Sequence, residues 1–169
     1  MTQSDIKRNP GTELNLAWIK NIQANTSATE RRAATFGARR SIKKNHQAAW
    51  LIKAISLIDL TTLAGDDTEQ RVRRLCAKAK NPLRQDLKDA LGIGDMTLTT
   101  GAVCVYHDML ETASSALKGT DIHLAAVSTG FPAGLTPHEL KVAEIKASVA
   151  AGADEIDVVI TRKHVFKQN

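Results

Sequence analysis

Two carboxylates stand alone in runs of branched apolar residues. Asp59 lies in Ile55–Leu60 (ISLIDL) and Asp157 in Glu155–Ile160 (EIDVVI). An ionised carboxylate among aliphatic side chains is costly to bury unless a cation or hydrogen-bond donors face it. Each could be a structural acid that anchors a loop. Two of them at matching places in similar segments are better explained as an acid pair serving a catalytic lysine. Cys104, between Val103 and Val105, reads first as a small core hydrophobe and second as a pocket-lining thiol. A nucleophilic role is disfavoured, because no histidine stands in its motif. The five histidines, at 46, 107, 123, 138 and 164, are scattered. His138-Glu139 would open an H-E-x-x-H zinc motif, but Val142 takes the place of the second histidine. The sequence therefore predicts neither a metal site nor a cofactor.

The elements that must carry these residues alternate between two periods. Strands are expected at Ile55–Leu60, Thr99–Tyr106, Ile122–Ser128 and Glu155–Ile160, and each is an almost continuous apolar run. Between them lie helical patterns. One is capped by Thr68, with Val72, Leu75, Cys76 and Ala79 on one face. A short one spans Arg84–Leu91, and another ends near Gly119. The last is predicted from Thr136, with Pro137 in the first turn and Glu139 closing a capping box, to Ala151, with Gly152 as its stop. Apolar strands separated by amphipathic helices mean a parallel sheet covered on both faces. A dinucleotide-binding sheet would need a glycine-rich turn after its first strand. Here Leu60 is followed by Thr-Thr-Leu-Ala-Gly-Asp-Asp, whose aspartates would repel a phosphate. A (β/α)₈ barrel places reactive side chains at the C-terminal ends of its strands, where Asp59, Thr61, Cys104, Ser128 and Asp157 all fall. The barrel is the better reading.

Ahead of this pattern, short helices are expected over Thr12–Gln23, over Ala28–Arg40 and through His46 to Lys53. Residues 1–53 hold 10 Lys and Arg against 3 Asp and Glu, so the net +5 of the 169-residue chain resides wholly in its first third. The densest part is Arg31, Arg32, Arg39, Arg40, Lys43 and Lys44, with Phe36 as its single aromatic. Without aromatic platforms for bases, a solvated helix face is favoured over a nucleic-acid arm. No apolar run approaches the roughly 20 residues that a membrane helix needs. The first ten residues are polar, unlike a signal peptide. Two cysteines form no disulfide framework, which makes a reducing, cytoplasmic compartment the expectation.

Four blocks carry a more specific signal: Leu57-Ile58-Asp59-Leu60-Thr61-Thr62-Leu63, Ala102-Val103-Cys104-Val105-Tyr106, Gly130-Phe131-Pro132-Ala133-Gly134 and Glu155-Ile156-Asp157-Val158-Val159-Ile160. In order and spacing they resemble the deoxyribose-phosphate aldolase family, and the segment from Gly11 to Trp50 resembles its animal-type form. The resemblance implies a class I aldolase on a TIM barrel. Such an enzyme cleaves 2-deoxyribose 5-phosphate to glyceraldehyde 3-phosphate and acetaldehyde through a lysine Schiff base, without metal. By position it implies that Asp157 is the proton donor/acceptor, that Asp59 holds a second active-site lysine, that Thr61 lies near substrate and that Cys104 lines the pocket. His107 departs from the family, which has proline there. The domains expected are a helical extension over 1–53 and the first half of the barrel, about four β/α units, over 54–169. The 115 residues from Ile55 onward are too few for a barrel of about 250. No lysine lies on strands two to four, and the chain as written is expected to be inactive. A sugar phosphate is the expected partner, and a homo-oligomer is left open. The alternative is an inactive truncated product that acts, if at all, as an interaction fragment.

Overall fold

The computed structural model describes residue 13 and residues 15–20, 22–39 and 41–167. Contacts divide the chain into two units, Met1–Lys43 and Lys44–Asn169. The expectations for Thr12, Leu14 and Arg40 fall outside the described residues.

Among the described residues the first unit holds three short helices, α1 (Ala17–Lys20), α2 (Thr26–Ala34) and α3 (Phe36–Arg39). Asn25 caps α2 by accepting from Ala28 N at 2.9 Å. The single helix expected from Ala28 is broken at Thr35, whose hydroxyl donates to Arg32 O at 2.7 Å and so competes with the helical ladder. No residue of α2 or α3 is buried. The Arg39 guanidinium lies 5.5 Å from the centroid of the Phe36 ring.

The second unit runs α4 (Lys44–Ile55), β1 (Asp59–Thr61), α5 (Glu69–Lys80), α6 (Gln85–Ala90), β2 (Ala102–Tyr106), a 3₁₀ turn (His107–Met109), α7 (Leu110–Leu117), β3 (His123–Ser128), α8 (His138–Ala150), β4 (Glu155–Val158) and α9 (Arg162–Phe166). The first strand begins later than expected, because Ile55 is the last residue of α4. The strands pair in parallel in the order β1-β2-β3-β4. Consecutive parallel strands joined by helices are the first four units of a (β/α)₈ barrel; α4, expected with the segment over 1–53, belongs to the second unit. Among the described residues no helix is long and apolar enough to cross a membrane.

The core lies on the helix side of the sheet. Val103, Val105, Leu124 and Ala126 alternate toward Val72, Cys76 and Ala79 of α5 and Leu110, Ala113 and Leu117 of α7. Thr68 caps α5 as expected, accepting from Arg71 N at 3.3 Å. The capping box of α8 does not form. Pro137 keeps extended backbone (ψ 146°) and so occupies the cap position itself, with no side-chain cap bond, and the helix starts at His138. Gly152 ends α8 with φ +100°, the left-handed stop that glycine adopts without strain.

Candidate active site

Side-by-side residues of a parallel sheet point to the same face, so the register decides what shares the site. Asp59 pairs with Ala102 and Thr61 with Cys104. Cys104 pairs with Ala125 and Tyr106 with Val127, and across the next pair Ala125 meets Glu155 and Val127 meets Asp157. Asp59, Thr61, Cys104 and Asp157 therefore lie on one face, opposite the helices. That face would be the interior of a closed barrel. Cys104 sits there in a small cluster with Ala125 and Val127, flanked by Leu63 and Tyr106.

The face is electrostatically loaded. Partial burial, followed by the charges of Glu155 and Asp157, raises the Asp59 carboxyl above its ordinary value. The Cys104 thiol is pushed up to about 11, chiefly by burial and then by Asp59 and Asp157; a hydrogen bond with Thr61 opposes this. The thiol is thus protonated near neutral pH. Glu155 was not singled out from the sequence, although its place two residues before Asp157 on a strand puts both on one face. The lone-carboxylate argument expects Asp59 and Asp157 to be buried; both are exposed. They stand on the two outer strands, β1 and β4, of the sheet. Asp59 opens β1 rather than ending it, in one row with Ala102 and His123 at the strand starts, whereas Ser128 ends β3 as expected. It alternates with Val127, faces the helices rather than the inner side, and is fully buried with its hydroxyl unpartnered among the described residues.

Loops at the strand ends complete the rim. After β1, Asp67 turns inward and its Oδ2 accepts from Thr62 Oγ1 at 2.8 Å and from Ala64 N at 3.1 Å. One of the two aspartates expected to repel a phosphate therefore fastens the loop. After β2, His107 Nδ1 lies 3.2 Å from the hydroxyl of buried Ser148 on α8. The rings of Tyr106 and Phe131 meet edge-on with centroids 6.1 Å apart. A cavity of about 400 Å³ opens here among Ala64, Asp67, Tyr106, His107, Asp108 and Glu144; Asp59 and Asp157 do not line it. At the opposite end of the strands His123 Nδ1 faces Glu155 Oε1 at 3.8 Å. Among the described residues no three His, Cys, Asp or Glu side chains group as metal ligands.

A parallel half-barrel with acids on its inner face can be compared with known proteins. The chain is 54% identical over 158 residues to the deoxyribose-phosphate aldolase of Mus musculus, covering 92% of this chain and 50% of that protein. The human protein of the same name is 53% identical over 160 residues, again with 50% of its length covered. The chain matches the N-terminal portion of deoxyribose-phosphate aldolase. It spans about half the length of the curated relatives it matches. No family model matches the chain. Among solved structures, a Coccidioides immitis protein assigned as a deoxyribose-phosphate aldolase superposes with a TM-score of 0.57 at 22% identity, covering 86% of this chain and 52% of that one. A tetrameric deoxyribose phosphate aldolase from Aeropyrum pernix superposes with a TM-score of 0.50 at 27% identity, covering 66% of this chain and 41% of that one. The four sequence blocks that resemble the aldolases are those that build β1, β2, the turn after β3 and β4.

Proposed function

We propose that residues 54–169 form the first half of a deoxyribose-phosphate aldolase barrel, with residues 1–53 as a helical extension, and that the inner face supplies the acid–base groups of the reaction. The supporting observation is the register, which brings Asp59, Thr61, Cys104 and Asp157 to one face although they are spread over three strands. The reaction is cleavage of 2-deoxyribose 5-phosphate. A lysine amine adds to the C1 carbonyl, the carbinolamine loses water, and an iminium forms. Loss of the C3 hydroxyl proton then breaks the C2–C3 bond, releasing glyceraldehyde 3-phosphate and leaving an enamine. Protonation and hydrolysis of that enamine release acetaldehyde. Asp157 suits the proton transfers on the carbinolamine and the enamine because it stands in its carboxylate-rich setting at a strand end. Asp59, whose proton is held more tightly than usual, would pair with a cation, and Thr61 would hydrogen-bond substrate. None of the residues of β1 to β4 is a lysine; the Schiff-base lysine belongs to the other half of the relatives' length. The site is a cytoplasmic one in this reading, with the sugar phosphate as partner.

A second reading, an inactive fragment that binds a partner, is favoured by one observation. Val158, the last residue of outer strand β4, and Ile160 just beyond it are 53% and 61% exposed. One experiment separates the two. Residues 1–169 are joined to the C-terminal half of the mouse relative and assayed beside the 169-residue chain alone, with borohydride trapping and intact mass. The joined chain cleaves substrate, its Asp157→Asn variant loses about 10²–10⁴-fold in kcat, and the short chain traps no adduct. Normal turnover by the variant overturns the role of Asp157. A stoichiometric adduct on the short chain overturns the assignment of the lysine to the other half.

A further inference from the structure

The β3–β4 ladder ends at the pair Ser128–Val158, yet the chain beyond it is held in register by side chains. The Thr129 hydroxyl oxygen accepts from Val159 N at 2.5 Å, and Thr129 holds a left-handed φ of +62°. Two residues further on, Lys141 of α8 donates from Nζ to Gly134 O at 2.6 Å and to Thr161 Oγ1 at 2.5 Å. Thr161 Oγ1 in turn donates to Gly134 O at 2.6 Å. The turn and the strand end are also in direct contact. A Cβ on Gly134 would lie 2.9 Å from Val159 Cγ1 and 3.1 Å from Ile160 O, so only glycine lets the two backbones come this close. Glu144, one turn along α8 from Lys141, accepts from Gly130 N at 3.1 Å and fixes the start of the same turn.

We infer that Lys141 is a positioning residue: it clamps the Gly130–Gly134 turn to the end of β4 and so sets the reach of Asp157, two residues before Val159. The inference rests on the reading of Asp157 as the proton-transfer group. An ammonium suits the task because both acceptors are neutral oxygens on separate segments, and a charged donor makes the stronger bond to each. Its loss leaves neither oxygen orphaned, since Thr161 still donates to Gly134. The clamp can therefore be cut without emptying a buried polar site.

The test compares wild type, Lys141→Met and Lys141→Arg in the 169-residue chain by amide exchange, with the Val103 and Val105 amides of β2 as internal reference. Lys141→Met speeds exchange at Val159 about tenfold, the loss of one typical hydrogen bond, and leaves the reference unchanged. Lys141→Arg restores protection at Val159. In the joined chain, Lys141→Met lowers kcat about tenfold with KM unchanged, as misplacement of a reacting group does. If Lys141→Met fails to fold, Thr161→Val cuts the same clamp from its other end and is read in the same way. Equal acceleration at Val159 and the reference, no change at either, or no rescue by arginine overturns the clamp. If exchange responds as expected but Asp157→Asn turns over normally, the clamp stands and the reading of Asp157 falls.

Discussion

The two faces of one sheet obey different rules. On the helix side, Val103, Val105, Leu124 and Ala126 pack against α5 and α7 with no exposure above a few per cent. On the inner side, the central strands present Cys104, Tyr106, Ala125 and Val127, and the outer strands present Asp59, Thr61, Glu155 and Asp157. The first face gains its stability from apolar area removed from water. The second carries three carboxylates on its two outer strands and buries only the smaller cluster of Cys104, Ala125 and Val127. A parallel strand can thus separate its duties residue by residue, folding on one parity and doing chemistry on the other. The consequence is that substitutions on the two faces should fail differently.

The largest effect belongs to the helix side. Leu110 is fully buried at the start of α7, and Leu110→Ala removes about 2–5 kcal/mol of stability, the usual range for a large-to-small change in a packed core. Urea unfolding followed by circular dichroism measures it. A loss well under 1 kcal/mol, comparable to a surface change, would break the contrast between the faces.

The two cysteines sharpen it, one on each face. Burial raises both thiols, Cys76 among the helices and Cys104 on the inner side, the latter to about 11. At about pH 8 a thiol with that value has roughly 100-fold less thiolate than an ordinary one, so iodoacetamide should label Cys104 at least that much more slowly than in urea. Asp59→Asn removes a charge that holds the Cys104 proton and should accelerate its labelling while leaving Cys76 untouched. Equal acceleration of both, read by peptide mass, would mean that the variant loosens the whole unit.

The smallest effect is a slope. The folded protein holds the Asp59 proton more tightly than the unfolded chain, whose value is near 3.8. Stability attributable to this group is therefore greatest when it is protonated and declines as pH rises through the folded value. Asp59→Asn should abolish that decline, so the stability of the variant relative to wild type should improve from about pH 3 to about pH 7. Parallel stability curves would show that the crowding of Asp59 by Glu155 and Asp157 has no energetic weight.

Much of this division was legible in the sequence. The apolar runs located four strands, and the lone acids within them marked the inner parity. The boundaries were less legible. The branched residues of Ile55 to Ile58 suit a helix end as well as a strand start; α4 takes Ile55, and β1 begins only at Asp59. Pro137 suits a first turn by its ring but took the cap position instead, which displaced the box expected from Thr136 and Glu139. The burial expected for Asp59 and Asp157 assumed a wall facing them, which strand periodicity alone does not supply. The Lys141 clamp was invisible because it depends on a left-handed Thr129 and on two segments brought together only by the fold. The glycines of Gly130–Gly134 were its one trace in the sequence.

The order of the strands also governs how this sheet is built in time. Every rung joins a strand to its neighbour along the chain, and none ties residues farther apart than the rungs between β1 and β2, such as Asp59 with Ala102. Loop closure then costs little at each step, and pairing can advance one β/α unit at a time without waiting for distant segments. Early collapse of α5 and α7 onto β2 and β3 would lay down the apolar side first. The acid-bearing outer strands would join a platform already formed, so mutations there should hasten unfolding more than they slow folding.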